Sequence, residues 1–177
     1  MFIENLLVIA SAFIVIVLLW FIVAMRYLRY LSREIKAQWE MIDQALRKRY
    51  DLIPSFIETV RVFTNAEEAL IERTIKDRQA TVKEYGNGAD RMVVENYLSK
   101  DINDLINLGK KYPNLVADTN YLELRKEIDD LEQNMIDKNN RYNEMVRDYN
   151  RQREKVYMKP IAVIFGFKTI NIFDVEK

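Results

Sequence analysis

The side chains that could do chemistry are few in kind. The chain of 177 residues holds no histidine and no cysteine. That removes the commonest general base and transition-metal ligand, and with them thiol nucleophiles, thiolate metal sites and disulfides. Carboxylates, cations, tyrosines and amides remain. Glu67-Glu68 and Asp129-Asp130 are the adjacent acidic pairs that two-carboxylate catalysis or a divalent cation would call for. Neither has a binding-loop geometry, a histidine to share protons with or a glycine-rich phosphate cradle beside it, so both read as solvated faces of amphipathic helices. Tyr142, Asn143, Tyr149 and Asn150 would suit a polar cleft, but their helical spacing favours core tyrosines with hydrogen-bonded neighbours. Arg47-Lys48-Arg49 offers three cations to phosphate, lipid, RNA or a partner, against the plainer reading of a solvated helix end. The expectation is a protein that is no enzyme, with no catalytic, cofactor-binding or metal-binding residues and no cofactor. With 27 basic and 27 acidic side chains no global field draws nucleic acid.

What must position these groups is set by Leu6 to Met25, LLVIASAFIVIVLLWFIVAM, a run of 20 residues without a charge. At about 1.5 Å per residue such a helix is about 30 Å long, the hydrocarbon thickness of a bilayer. A signal peptide is the competing reading, since Ala10-Ser11-Ala12 resembles a cleavage triplet. That triplet lies inside the run, however, and the segment before it carries Glu4 and no Lys or Arg. A single membrane anchor is therefore expected. Arg26, Arg29, Arg33 and Lys36 follow it against one acid, Glu34, which by the positive-inside rule puts the N-terminus outside and the remainder in the cytoplasm. Arg26, Arg29 and Arg33 are expected to meet lipid headgroups. The 47–49 cluster lies about 33 Å further along a straight helix, well beyond the screening length of about 8 Å.

The part beyond the anchor has the size of one domain. With 4 glycines, 3 prolines and 31% charged residues it suits long helices. Leu28, Leu31, Ile35, Trp39, Ile42 and Leu46 recur at steps of three and four, the inward stripe of a helix that continues the anchor. This helix is expected to end near Tyr50, with a turn at Asp51-Leu52-Ile53-Pro54 in preference to a helix that runs on, kinked at the proline. A second helix from Pro54 to about Tyr85 would bury Ile57, Val60, Phe63, Leu70, Ile71, Val82 and Tyr85. Gly86-Asn87-Gly88 reads as a loop. A third helix runs from Ala89 to about Leu108, stopping at Gly109, with Val94, Leu98, Leu105 and Leu108 inward. A fourth starts near Asp118 or Thr119 and reaches about Tyr157. In it Ile128, Met135, Tyr142, Tyr149 and Val156 are spaced by sevens, with Leu124, Leu131, Lys138, Met145 and Gln152 on the second seam. The polar slots Lys138 and Gln152 lie at the edge of an intramolecular bundle or face another subunit.

The last stretch, from Pro160, reads PIAVIFGFKTINIF and is too apolar to stand alone in water. An up-and-down order returns it to the membrane side. There Ile161, Ile164, Phe165 and Phe167 would bury against the bundle base, dip into the headgroup region or enter a neighbouring subunit.

Several segments together resemble the LemA family: Lys48-Arg49-Tyr50-Asp51-Leu52-Ile53-Pro54, Glu58-Thr59-Val60, Tyr112-Pro113-Asn114-Leu115 with Ala117, Arg141-Tyr142-Asn143 with Val146, Tyr149-Asn150, and Pro160 with Phe165-Gly166-Phe167. The resemblance covers nearly the whole chain. One departure is Ala66-Glu67, where many members carry His-Glu, so a chemical role for that histidine does not carry over. The resemblance implies an all-α fold, a four-helix up-and-down bundle of long antiparallel helices on an N-terminal transmembrane helix. It implies no established enzymatic activity; members are linked to envelope stress and membrane peptidases, and one relative to the forming of magnetosome membranes. The resulting expectation is an anchor at 1–25, a bundle at 26–158 and an apolar tail at 159–177. Its function would be a non-enzymatic scaffold in the bacterial cell membrane that self-assembles and shapes or organises the bilayer, with homo-oligomer contacts through bundle and tail. The alternative is an envelope quality-control adaptor that binds a membrane protease or client protein.

Overall fold

The structure, a computed structural model, describes residues 2–64, 68–83 and 88–173. Among the described residues all regular elements are helices: α1 (Phe2–Phe63), α2 (Glu68–Lys83), α3 (Gly88–Gly109), α4 (Pro113–Val116), α5 (Thr119–Arg153) and α6 (Lys159–Ile164). The third and fourth expected helices fall where glycine and cap residues place them. Asp118 caps α5, its Oδ1 accepting the Tyr121 N–H at 2.8 Å. Of the expected loop Gly86-Asn87-Gly88, Gly88 opens α3; residues 84–87, with Tyr85, and residues 65–67, with Ala66 and Glu67, lie outside the described residues.

The beginning of α1 is apolar and exposed, and α1 is long and apolar enough to cross a membrane. Beyond it the helix continues, and its inward residues recur by sevens: Leu28, Ile35, Ile42, Arg49 and Phe56 are all buried.

The expected turn at 51–54 is absent, because α1 runs through Pro54. Ile53, Phe56, Ile57 and Val60 are buried on the face that Ile42 and Leu46 began. Burying this stripe outweighs the roughly 3 kcal/mol that an interior proline costs. Part of that cost is repaired in place. Pro54 has no N–H for the carbonyl four residues earlier, that of Tyr50, and Arg78 of α2 donates its Nε to this oxygen at 2.8 Å. Arg78→Met is expected to destabilise the protein by about 1–3 kcal/mol, the cost of a buried unsatisfied carbonyl. In a Pro54→Ala background, where the alanine supplies the missing N–H, the loss should mostly vanish. A double-mutant cycle by thermal unfolding reads the difference.

The chain forms two units by its internal contacts, Met1–Gln38 with Tyr142–Ile172, and Trp39–Arg141 with Phe173–Lys177. In the second, Thr59 meets Asn120 (3.0 Å) and Phe56 stacks on Tyr121 (5.5 Å between ring centres). Tyr121 donates its hydroxyl to the Ile106 carbonyl (3.3 Å) and lies so close to Gly109 that a Cβ there would overlap its oxygen, so any larger residue at the end of α3 would have to displace Tyr121. In the first unit Leu31 and Ile35 of α1 and Met145 of α5 line one cleft. The seam of α5 is buried at Ile128, Met135, Tyr142 and Tyr149, but the next slot, Val156, is exposed because the helix stops at Arg153, short of the expected Tyr157. Lys138 and Gln152 are half-buried.

Candidate functional site

The three cations at 47–49 separate. Arg47 is exposed and pairs with Asp43 one turn earlier (2.8 Å), and Lys48 is exposed. Arg49, 1% exposed, faces the core. Its Nη2 donates to Oε2 of Glu95 at 2.6 Å and its Nη1 to Oγ of Ser99 at 2.9 Å, both on α3. Glu95 is 0% exposed. Burial pushes its carboxyl up to about 7; the Arg49 guanidinium pulls it down, and Asp43 adds to the rise.

Beside the pair lies a cavity of about 290 Å³ whose walls include Ile42, Arg49, Ser99, Asn103, Met135 and Asn139. Glu95 is not among its lining residues, so the raised carboxyl does not line this space. Glu132 and Gln133 line it as well, and Arg49 Nε and Asn139 Oδ1 are buried and make no hydrogen bond within the described residues, so the cavity offers hydrogen-bonding groups of both kinds and one carboxylate.

The raised carboxyl has a consequence for stability. Glu95 holds its proton more tightly folded than unfolded, so folding takes up a proton between pH 4.5 and about 7. Its contribution is complete below pH 4.5 and is lost as pH rises through about 7. Stability should therefore fall across that window, and Glu95→Gln should lack this component of the slope. Thermal unfolding of both proteins at several pH values checks it.

A second ionic cluster joins α2 to α3. Arg73 donates Nε to Asp101 Oδ1 (2.7 Å) and Nη2 to Asp104 Oδ2 (3.1 Å). Asp77 beside it is raised by burial first and by Asp101 second. Among the described residues no group of three or more metal-ligating side chains is close enough to hold an ion. Asp129 and Asp130 are exposed, as is Glu68, which pairs with Arg61 at 3.2 Å.

In the other unit the tail turns back along α5. Pro160 sits in the first turn of α6, where its missing N–H costs nothing. Gly166 ends the helix in the left-handed region (φ 67°), with Phe167 N–H on Ala162 O (2.9 Å) and Gly166 N–H on Val163 O (3.3 Å), the Schellman pattern. The extended residues that follow are held through their main chain. Arg153 Nε donates to Phe167 O (2.7 Å) and the Tyr149 hydroxyl to Lys168 O (3.1 Å). Asn150 bonds both the C=O and the N–H of Ile170 (2.8 and 3.1 Å), and the Tyr142 hydroxyl donates to Asn171 O (3.3 Å). The polar residues read from sequence as core tyrosines with hydrogen-bonded neighbours thus form a clamp on the tail. Of the four tail residues singled out, Ile161 is buried, Phe167 is half-buried, and Ile164 and Phe165 are exposed. Phe165 packs on Phe21 of α1 at 5.5 Å between ring centres. Arg26, Arg29 and Arg33 all lie on α1 and are exposed along the helix that leaves the apolar stretch.

Sequence reading missed the burial of Arg49 and the roles of Arg78 and Arg153. The signal for Arg49 was present: it lies seven residues beyond Ile42 and seven before Phe56, inside the inward stripe.

These features define an all-helical protein with one long apolar N-terminal helix. The family model of the LemA family matches residues 38–177, and the chain belongs to that family. Comparison with curated proteins gives no match.

Proposed function

We propose that the protein is a non-enzymatic scaffold of the bacterial cell membrane, anchored by one span with the N-terminus outside and the helical domain in the cytoplasm, and that copies self-assemble to organise or shape the bilayer. The observation that carries this reading is α1. It runs unbroken from an exposed apolar stretch, past Arg26, Arg29 and Arg33, into buried contacts of both units. A four-helix up-and-down bundle made by α1, α2, α3 and α5 is part of the proposal. It is supported by the pairings of Arg78 with Tyr50, Arg73 with Asp101, Tyr121 with Ile106 and Asn120 with Thr59.

The tail's main chain and the seam positions Tyr142 and Tyr149 are engaged within the chain itself, so contact between copies needs other surface. Val93 and Tyr97, one turn apart on α3, are exposed and apolar. Val93→Glu with Tyr97→Glu should reduce the particle mass of the full-length protein in mild detergent; an unchanged large particle would place the contact elsewhere.

The adaptor reading has one observation in its favour. The cavity beside Arg49 offers a donor, Arg49 Nε, and an acceptor, Asn139 Oδ1, between walls of mixed polar and apolar character. This combination suits part of a client chain. Cross-linking from Asn139→Cys in cells tests it, because a partner captured there and lost when the cavity is filled by adding Asn103→Phe is what an adaptor requires.

A further inference from the structure

We infer that α6 and the turn before it lie in the interfacial layer of the same bilayer that α1 enters, so that the anchor has two parts. This rests on the anchoring half of the proposed function. The helix has two apolar faces of different fate. Met158, Ile161 and Ala162 are buried against the protein. Val163 and Ile164 are 71% and 66% exposed, Val156 is 90% exposed, and Tyr157 and Phe165 are exposed as well. Five exposed large apolar side chains within ten residues are more than a cytoplasmic surface would leave in water.

The contact of Phe165 with Phe21 says what covers it. Phe21 lies four residues before Met25, the end of the uncharged run, which is about 6 Å along the helix. A ring packed on Phe21 thus lies about 6 Å inside the boundary, within the 5–10 Å depth to which an interfacial helix buries its apolar face. Lys155 precedes the patch and Lys159 lies within its span, and both suit anionic headgroups, while Tyr157 is a residue type enriched at membrane interfaces. The clamp on residues 167–171 orders the chain after α6, so less entropy is lost when the helix settles into lipid. A short wedge in one leaflet beside a spanning helix also gives a scaffold a way to act on bilayer shape.

The absence of cysteine makes the test clean. Val156→Cys, Ile164→Cys, Val15→Cys and Val62→Cys, each carrying a nitroxide, are placed in the full-length protein in vesicles of phosphatidylethanolamine and phosphatidylglycerol. Accessibility to oxygen and to a water-soluble nickel chelate is then compared. The labels at 156 and 164 should favour oxygen severalfold over the exposed position 62 and approach position 15. Nickel-accessible labels at both positions would overturn the inference, and so would labels hidden from both reagents, as under a second copy or a protein partner. A nickel-accessible label at position 15 would mean that the anchor itself had been misread, whereas a lipid-exposed 15 with an aqueous 164 refutes the wedge alone.

Discussion

Arg49→Met is expected to destabilise the protein by about 3–5 kcal/mol, the cost of breaking a buried ion pair by removing one member. The substitution keeps much of the side-chain volume but takes away the cation that Glu95 holds at 2.6 Å and the donor to Ser99. Replacing both members, Arg49→Met with Glu95→Leu, should restore stability to within about 1 kcal/mol, since well-packed apolar residues often do as well as a buried pair. Thermal unfolding in mild detergent measures both. A single variant as stable as the wild type would mean that Glu95, already raised to about 7, takes up a proton and stays buried as the neutral acid. A double variant no better than the single would mean that the pair also fixes the register of α1 on α3, which hydrogen exchange in those helices would report.

The second large effect is expected from the tail. Deleting residues 167–177 removes the main-chain acceptors for Arg153, Tyr149, Asn150 and Tyr142. At about 1 kcal/mol for each net hydrogen bond the loss is roughly 4 kcal/mol before the exposure of the two tyrosines is added. Against a total of about 5–15 kcal/mol for a domain, that is enough to open one unit. Hydrogen exchange should show protection lost over the end of α5, residues 142–153. If those amides stay protected and only the particle mass drops, the tail serves assembly and the clamp is incidental.

The two variants probe the places where sequence reading was least and most complete. The start of α3 and its stop at Gly109 were legible because glycine acts locally, and the start of α5 was legible to within a residue, at Asp118 or Thr119, although sequence did not single out Asp118 as the group that caps it. The inward stripe of α1 was legible because 3.6-residue periodicity survives any tertiary context. Pro54 was misread because its local preference for a helix start is a property of the dipeptide, whereas the outcome depends on Arg78, 24 positions away, reaching the carbonyl of Tyr50. Arg49 was misread with its neighbours because a run of charge suggests a surface. Register, not composition, places it inside, and Glu95 sits three residues before the buried Leu98 on the inner face of α3. The apolar character of the tail was plain, but its division between an inward Ile161 and an outward Ile164 follows from a helix of six residues that ends at Gly166. Sequence offered Gly166 as the stop but no periodicity long enough to fix the face.

The measurement that bears most directly on the scaffold is the mass and shape of the full-length protein in mild detergent, by light scattering with electron microscopy. Large, regular particles are the expected result, closed rings or open arrays according to whether the contact between copies closes on itself. A monomer or dimer at all concentrations would contradict self-assembly and leave the cavity beside Arg49 as the place to seek a partner.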